Sequence, residues 1–240
     1  MTITNYPREE RKSADIGFAQ IYFSFRADYS EKKRHRFGAL WNLDEGTMDP
    51  GSKGFGIHPH KDMEVLTLLF NGEGHHKDDQ GNAGTLKAKG VQLITAGTGI
   101  MHEEYNYSKT EQYVGYQMFL HPREKGLKPK YQKKELSVES YTNILCLVVT
   151  PDGRNDTLEI ANDSFLNYGI FDQGSSINYK LNLSTNGVLI KVHKGEIKIG
   201  ETVLREKDEV GIEKFEIMII EMIKESEIMV FEVPMNNYAL

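Results

Sequence analysis

Two short stretches of the chain carry side chains able to hold a metal ion. The first runs Gly54-Phe-Gly-Ile-His58-Pro-His60-Lys-Asp-Met-Glu64, and the second Gly97-Thr-Gly-Ile-Met-His102-Glu-Glu104-Tyr-Asn106. A β-strand sends residues i and i+2 to the same face, so His58 and His60 point together, as do His102 and Glu104. If the two strands face a common interior, three imidazole nitrogens and a carboxylate oxygen meet there. Glu64 keeps parity with His60 as long as no bulge intervenes, so a carboxylate from the first stretch is an alternative. Nitrogen and oxygen donors without thiolate suit Fe, Mn, Co, Ni, Cu or Zn, with Fe2+ expected first, and create no preference for a soft ion. Four protein ligands on an octahedral ion leave two positions for small molecules, which a closed tetrahedral structural site does not.

The elements that must position these groups read as short strands. Glycines flank both stretches and permit positive φ and close backbone approach. Pro59 has no N–H for a sheet ladder, which places His58-Pro59-His60 at a sheet edge or strand start, near a barrel mouth. Alternating or β-branched runs predict strands at Ile16–Phe25, Phe37–Leu43, Val65–Phe70, Val91–Thr95 and Tyr113–Leu120. Asn71-Gly72 is a hairpin signal. His75 to Gly84 reads as a polar turn, and His76 and Asp78 within it as a hydrated loop. Asp62 has ligand-face parity and could orient a histidine, whereas Lys61 and Glu103 should point away. His121 to Tyr131, with two prolines and a glycine, reads as a domain boundary. Beyond it strands resume at Tyr179–Leu183, Val188–Val192, Glu196–Ile199, Ile217–Ile223 and Ile228–Val233. Ile190 and Val192 share a face, so His193 lies beside Lys191 on the other, read as solvated, and no ligand pair accompanies it. Glycine-punctuated strands without a long capped helix argue for an all-β sandwich or barrel architecture, repeated in the second half without the metal chemistry.

Composition sets outer limits. The chain of 240 residues, 39% hydrophobic and 27% charged, has the make-up of a soluble globular protein with a real core. A net charge of −6 disfavours electrostatic binding to nucleic acid. The single cysteine, Cys146, excludes an intrachain disulfide and reads as a packed strand residue. His35, among Lys32, Lys33, Arg34 and Arg36, reads as a solvated loop histidine or part of a basic rim. The first residues lack the apolar core of a signal peptide, and no run approaches the roughly 20 apolar residues of a membrane span. A cytoplasmic location without membrane association is expected.

The two ligand-bearing stretches resemble the motif segments of the pirin family, within the cupin superfamily. The similarity extends to Ser24-Phe-Arg-Ala-Asp-Tyr29, to Lys128-Pro-Lys-Tyr131 and to Val192-His-Lys-Gly-Glu-Ile-Lys-Ile199, so it covers nearly the whole chain. The resemblance implies a bicupin of two tandem jelly-roll barrels, residues 1–122 and 123–240, with one metal in the N-terminal barrel. Carried over position by position, it makes His58, His60, His102 and Glu104 the ligands, and Glu64 a residue behind them or lining the pocket. The general cupin pattern would take its carboxylate from Glu64 instead. The resemblance further implies quercetin 2,3-dioxygenase activity on a small aromatic enol with O2, with Glu104 also accepting the flavonol proton. Two alternatives are a regulatory protein whose metal tunes a surface for a protein partner, and another cupin activity on a small enol.

Overall fold

Strand Glu64–Asn71 is buried on both faces apart from its last residue, and the two faces serve different purposes. Leu66, Leu68 and Phe70 join one hydrophobic cluster with Leu166, Leu189 and Phe231 from the far half of the chain. Val65, on the opposite face, packs with Ile94 and Ile100. The structure, a computed structural model, describes residues 1–236; residues 237–240 of the expected second domain lie outside the described residues.

Each half pairs a seven-stranded sheet with a four-stranded one. In the first half the large sheet runs, in spatial order, Lys130–Glu135, Gly90–Thr95, Glu64–Asn71, Tyr113–Leu120, Leu40–Met48, Ala19–Phe25 and Lys12–Asp15. Its small sheet runs Phe55–His60, Ile100–Tyr105, Glu73–Asp78 and Ala83–Lys87. The second half repeats the plan, with Ser176–Lys180, Ile217–Met222, Glu196–Ile199 and Thr202–Arg205 as its small sheet. Among the described residues the strands pair antiparallel except Cys146–Thr150 with Leu158–Glu159, and one isolated bridge, Thr142 with Ile170, is parallel. The only α-helix among the described residues is the single turn Val138–Tyr141. No helix among them is long and apolar enough to cross a membrane.

The two large sheets meet across one shared core. The second barrel is filled with its own apolar cluster, including Val188, Ile190 and Val192. The first barrel keeps only a small one, and polar side chains, among them His76, Asp78, Gln92 and His102, are buried within it. Burying polar groups is costly unless they are partnered, so a barrel filled this way needs a compensating purpose.

Several expectations are revised. The stretch from His75 to Gly84 is not a loop: Glu73–Asp78 and Ala83–Lys87 form a paired hairpin, because Lys77 to Glu73 face Ala83 to Lys87 in unbroken register. Asn71-Gly72 is not a hairpin turn, since Glu64–Asn71 and Glu73–Asp78 lie in different sheets and the chain crosses between them there. Two strands are traded between the halves: Thr2–Tyr6 pairs with Glu209–Glu213, and Lys130–Glu135 pairs with Gly90–Thr95. One cut at residues 122/123 therefore leaves one strand of each half on the other side. Cys146 is half-buried at the margin of the shared core, without a disulfide partner.

Candidate metal centre

Strand Ile100–Tyr105 lies antiparallel to Phe55–His60, with His102 opposite His58 and Ile100 opposite His60. This register brings the three imidazoles together, and one ring nitrogen from each lies within 4.8 Å of the others. The ring centroids of His58 and His102 are 4.3 Å apart, and those of His60 and His102 4.8 Å. His58 Nδ1 is 2.7 Å from the Gly56 carbonyl oxygen, an acceptor only, so Nδ1 carries the proton and Nε2 is left with its lone pair. His60 Nε2 and His102 Nε2 are buried and have no hydrogen-bond partner. Buried imidazole nitrogens are normally satisfied, and two orphaned ones facing a third histidine fit a divalent transition metal.

Electrostatics keeps these lone pairs free. Burial, then the adjoining His102 and His58 rings, lower His60 to about 4 against the pull of Glu104. Burial, then His58 and His76, lower His102 to about 3. A neutral imidazole is the form that binds metal, so these two sites do not have to shed a proton near neutrality.

Glu104 stands apart from the three-histidine group. The pairing of Ile100–Tyr105 with Phe55–His60 slips between His102 and Glu104, which puts Glu104 opposite Phe55. Its Oε1 accepts from Gln92 Nε2 at 2.8 Å and its Oε2 from Gln117 Nε2 at 2.9 Å. The carboxylate lines the same cavity as His58 and His60. Gln92 and Gln117 were not picked out from the sequence. Their signal was a glutamine set between apolar neighbours in each of two strands, Val91-Gln92-Leu93 and Tyr116-Gln117-Met118.

Glu64 is elsewhere. Asp62 has φ of 51°, and the turn it makes breaks the parity between His60 and Glu64. Glu64 then alternates with Leu66 and Leu68 and faces the second half; it accepts from Thr95 Oγ1 at 2.9 Å and is fully buried. Burial pushes its carboxyl up to about 8 against the Thr95 hydrogen bond. Glu64 neither joins the histidines nor lines the cavity. Asp62 does not orient a histidine by its side chain either, since its Oδ1 accepts the Gly126 N–H at 2.8 Å.

The most consequential correction concerns His76 and Asp78, which are 3% and 8% exposed. Strand Glu73–Asp78 lies against the other edge of Ile100–Tyr105, with Asp78 opposite His102. His76 Nε2 is 2.9 Å from Asp78 Oδ2, and His76 Nδ1 is 3.3 Å from His102 Nδ1. Tyr131 stacks on the His76 ring at 4.3 Å and an interplanar angle of 7°. Burial acts to raise Asp78, but hydrogen bonds from His76 and Asn82 outweigh it and hold the carboxylate below its usual range.

A cavity of about 210 Å³ opens beside the histidines, walled by Ile21, Met48, Phe55, Tyr113 and Phe119 together with His58, His60 and Glu104. Asp44 also lines it. Asp44 Oδ2 accepts from Asn42 Nδ2 at 2.8 Å, and Oδ1 is buried without a partner. Burial pushes this carboxyl up to about 6 against the Asn42 hydrogen bond.

The remaining histidines lie outside the centre. His35 is half-buried, its Nε2 2.8 Å from the Tyr29 carbonyl oxygen, and the neighbouring Arg34 is fully buried, contacting Pro7 and Glu10, whereas Lys32, Lys33 and Arg36 are exposed. His193 is not solvated: it is 5% exposed and stacks on Phe70 at 3.8 Å. The face it shares with Lys191 was read correctly, but the first barrel covers that face.

Two jelly-roll halves, one with a histidine cluster inside it, define a bicupin with a metal-binding site in its N-terminal barrel. Family models agree half by half: Pirin matches residues 9–120, and the quercetinase C-terminal cupin domain matches residues 147–233. The chain is 31% identical to a quercetin 2,3-dioxygenase of Escherichia coli (strain K12) over 227 residues, covering 94% of this chain and 96% of that protein. Its fold matches the crystal structure of the bacterial pirin YhhW from Escherichia coli in complex with nickel(II), with TM-score 0.89, 31% identity and coverage of 97% and 99%. A quercetin 2,3-dioxygenase from Acinetobacter baumannii, 21% identical with TM-score 0.80, shares the fold over 98% of this chain and 87% of its own. The chain belongs to the pirin family.

Proposed function

We propose that this protein is a metal-dependent dioxygenase that opens the heterocyclic ring of a flavonol such as quercetin, with loss of carbon monoxide. The observation that carries the reading is the convergence of three imidazoles beside an apolar cavity, with Glu104 on the wall of that same cavity. The relatives' names support it: one is a quercetin 2,3-dioxygenase and another is a pirin complexed with nickel(II). His58, His60 and His102 would hold the ion through Nε2, and Glu104 would reach in as the fourth ligand. A bound ion would supply a Lewis-acidic centre for the substrate enol and O2.

The chain's own residues do the rest. Ile21, Phe55 and Phe119 exclude water and take the flat aromatic face of the substrate. Glu104 accepts the proton of the flavonol hydroxyl. Gln92 and Gln117 donate to its two oxygens and hold Glu104 in place as it takes the proton. Asp44 presents an unpartnered oxygen to a further substrate hydroxyl.

The test is oxygen uptake and carbon monoxide release with quercetin, measured on protein loaded in turn with Fe, Mn, Co, Ni, Cu and Zn. Turnover with at least one ion supports the reading. No turnover with any of them, together with a protein captured only by the metal-loaded form, would favour a regulatory role. Asp44→Leu should raise KM for quercetin about 10-fold or more, the cost of one hydrogen bond to a charged group, and leave 3-hydroxyflavone unaffected. His102→Ala should lose the metal by elemental analysis, whereas Glu64→Gln should retain it.

A further inference from the structure

The hydrogen-bond chain behind His102 has a chemical direction. Asp78 Oδ1 already accepts the backbone N–H groups of Gln80 at 3.0 Å and Asn82 at 2.9 Å, and Oδ2 accepts Asn82 Nδ2 at 2.9 Å. A carboxylate surrounded by donors is an acceptor only, so the proton between Asp78 and His76 sits on His76 Nε2. His102 Nε2 is buried with no partner, so that ring's N–H belongs on Nδ1, where His76 Nδ1 is placed to accept it, 3.3 Å away. That leaves His102 Nε2 as a lone pair directed toward His58 and His60. Reversing any link would put a proton on the nitrogen that faces the metal position.

We propose that Asp78 and His76 are positioning residues, which lock His102 in its Nδ1–H tautomer and hold its ring so that Nε2 is presented to the metal. His58 achieves the same result through a backbone carbonyl, that of Gly56. His102 sits in the central part of the small sheet, where its Nδ1 meets a side chain, and so it needs a second imidazole as carrier. The Tyr131 ring stacked on His76 fixes that carrier's plane. Tyr131 belongs to the strand that follows the interdomain connection and pairs with Gly90–Thr95, so the connection also contributes to the centre. Outer partners of metal-bound histidine typically set affinity by 10–100-fold, and here the partner is a two-residue relay.

This inference rests on His102 being a ligand, and the test separates the two ideas. Tautomers of His102 are read by long-range 15N–1H NMR on metal-free protein and on protein loaded with diamagnetic Zn2+, and Zn2+ affinity is read by chelator competition. In metal-free wild type, His102 should be Nδ1–H. His76→Phe keeps the ring that stacks on Tyr131 and removes both nitrogens; it should release His102 to a mixture of tautomers and weaken Zn2+ about 10–100-fold. Asp78→Asn places an amide, able to donate as well as accept, beside His76; it should give a mixed His102 tautomer and an intermediate loss, which keeps the proposal testable if His76→Phe does not fold. An unchanged His102 tautomer with unchanged Zn2+ affinity in these variants overturns the relay. Full Zn2+ retention in His102→Ala overturns the ligand assignment beneath it.

Discussion

At the scale of single residues, the centre is defined by where protons are absent. His60 is held neutral by burial and by the His102 and His58 rings, and His102 by burial and by His58 and His76, while His58 Nδ1 is oriented by the Gly56 carbonyl. Glu64 shows the opposite case, a carboxyl that burial keeps protonated. Its pKa rises from 4.5 to about 8 on folding, so the folded state binds the extra proton between those values. Stability from this group is therefore complete below about pH 4.5 and is lost as pH rises through about 8. Glu64→Gln should flatten that decline and, at pH 9, exceed the wild type by an amount on the order of 5 kcal/mol. Urea unfolding from pH 5 to 9 checks this; parallel curves for the two proteins would mean that Glu64 is ionised in the fold without penalty.

At the scale of elements, two strands of the small sheet act as a pair because a glycine lets them. Gly54, with φ of +56°, precedes Phe55–His60, and a Cβ there would lie 2.0 Å from the Glu104 carbonyl oxygen. The clash is with backbone, so a side chain at Gly54 must push Phe55–His60 away from Ile100–Tyr105. Gly54→Ala should destabilise the protein by about 2–5 kcal/mol, from the left-handed conformation and the overpacking together, and should weaken metal binding as well. The check is thermal unfolding alongside metal stoichiometry; wild-type values in both would show that the strand pair tolerates the spread. Parity within each stretch places His58 with His60, and the fold brings both to His102. Glu64 shows where that parity fails. A single residue of positive φ, Asp62, resets the alternation between His60 and Glu64, and no spacing rule announces it.

At the scale of the whole molecule, the halves are joined by buried charge as well as by apolar contact. Lys191 and Glu209 form a fully buried pair at 2.6 Å, and Ser24 of the first half also donates to Glu209. Lys207 bridges to Glu45 of the first half at 2.6 Å, and Tyr116 reaches His193 at 3.2 Å. Burial lowers Lys191 to about 8 in spite of Glu209. Removing one member of such a pair strands the other, so Lys191→Ala should cost roughly 3–5 kcal/mol, and the double substitution Lys191→Met with Glu209→Gln much less. Because the interface is shared, both halves should unfold in one transition. Trp41 fluorescence and far-UV circular dichroism should coincide through a denaturant titration; separate transitions would mean that the halves are independent.

Sequence alone determined what depends on local geometry. Strand periodicity named the all-β class and the doubled architecture, and same-face spacing brought forward His58, His60 and His102, the three imidazoles that the fold gathers; parity by itself left Glu64 and Glu104 both open. The tertiary structure decided which faces are covered and by what. His193 and Lys191 lie on the face that parity gave them, yet a second barrel turns that face into an interior. His76 and Asp78, which looked like hydrated polar residues, became the support behind His102 because a neighbouring strand and Tyr131 enclose them. The physical reason is that a side chain's direction is set by its own backbone, whereas its burial, its hydrogen-bond partner and hence its protonation are set by chain tens of residues away.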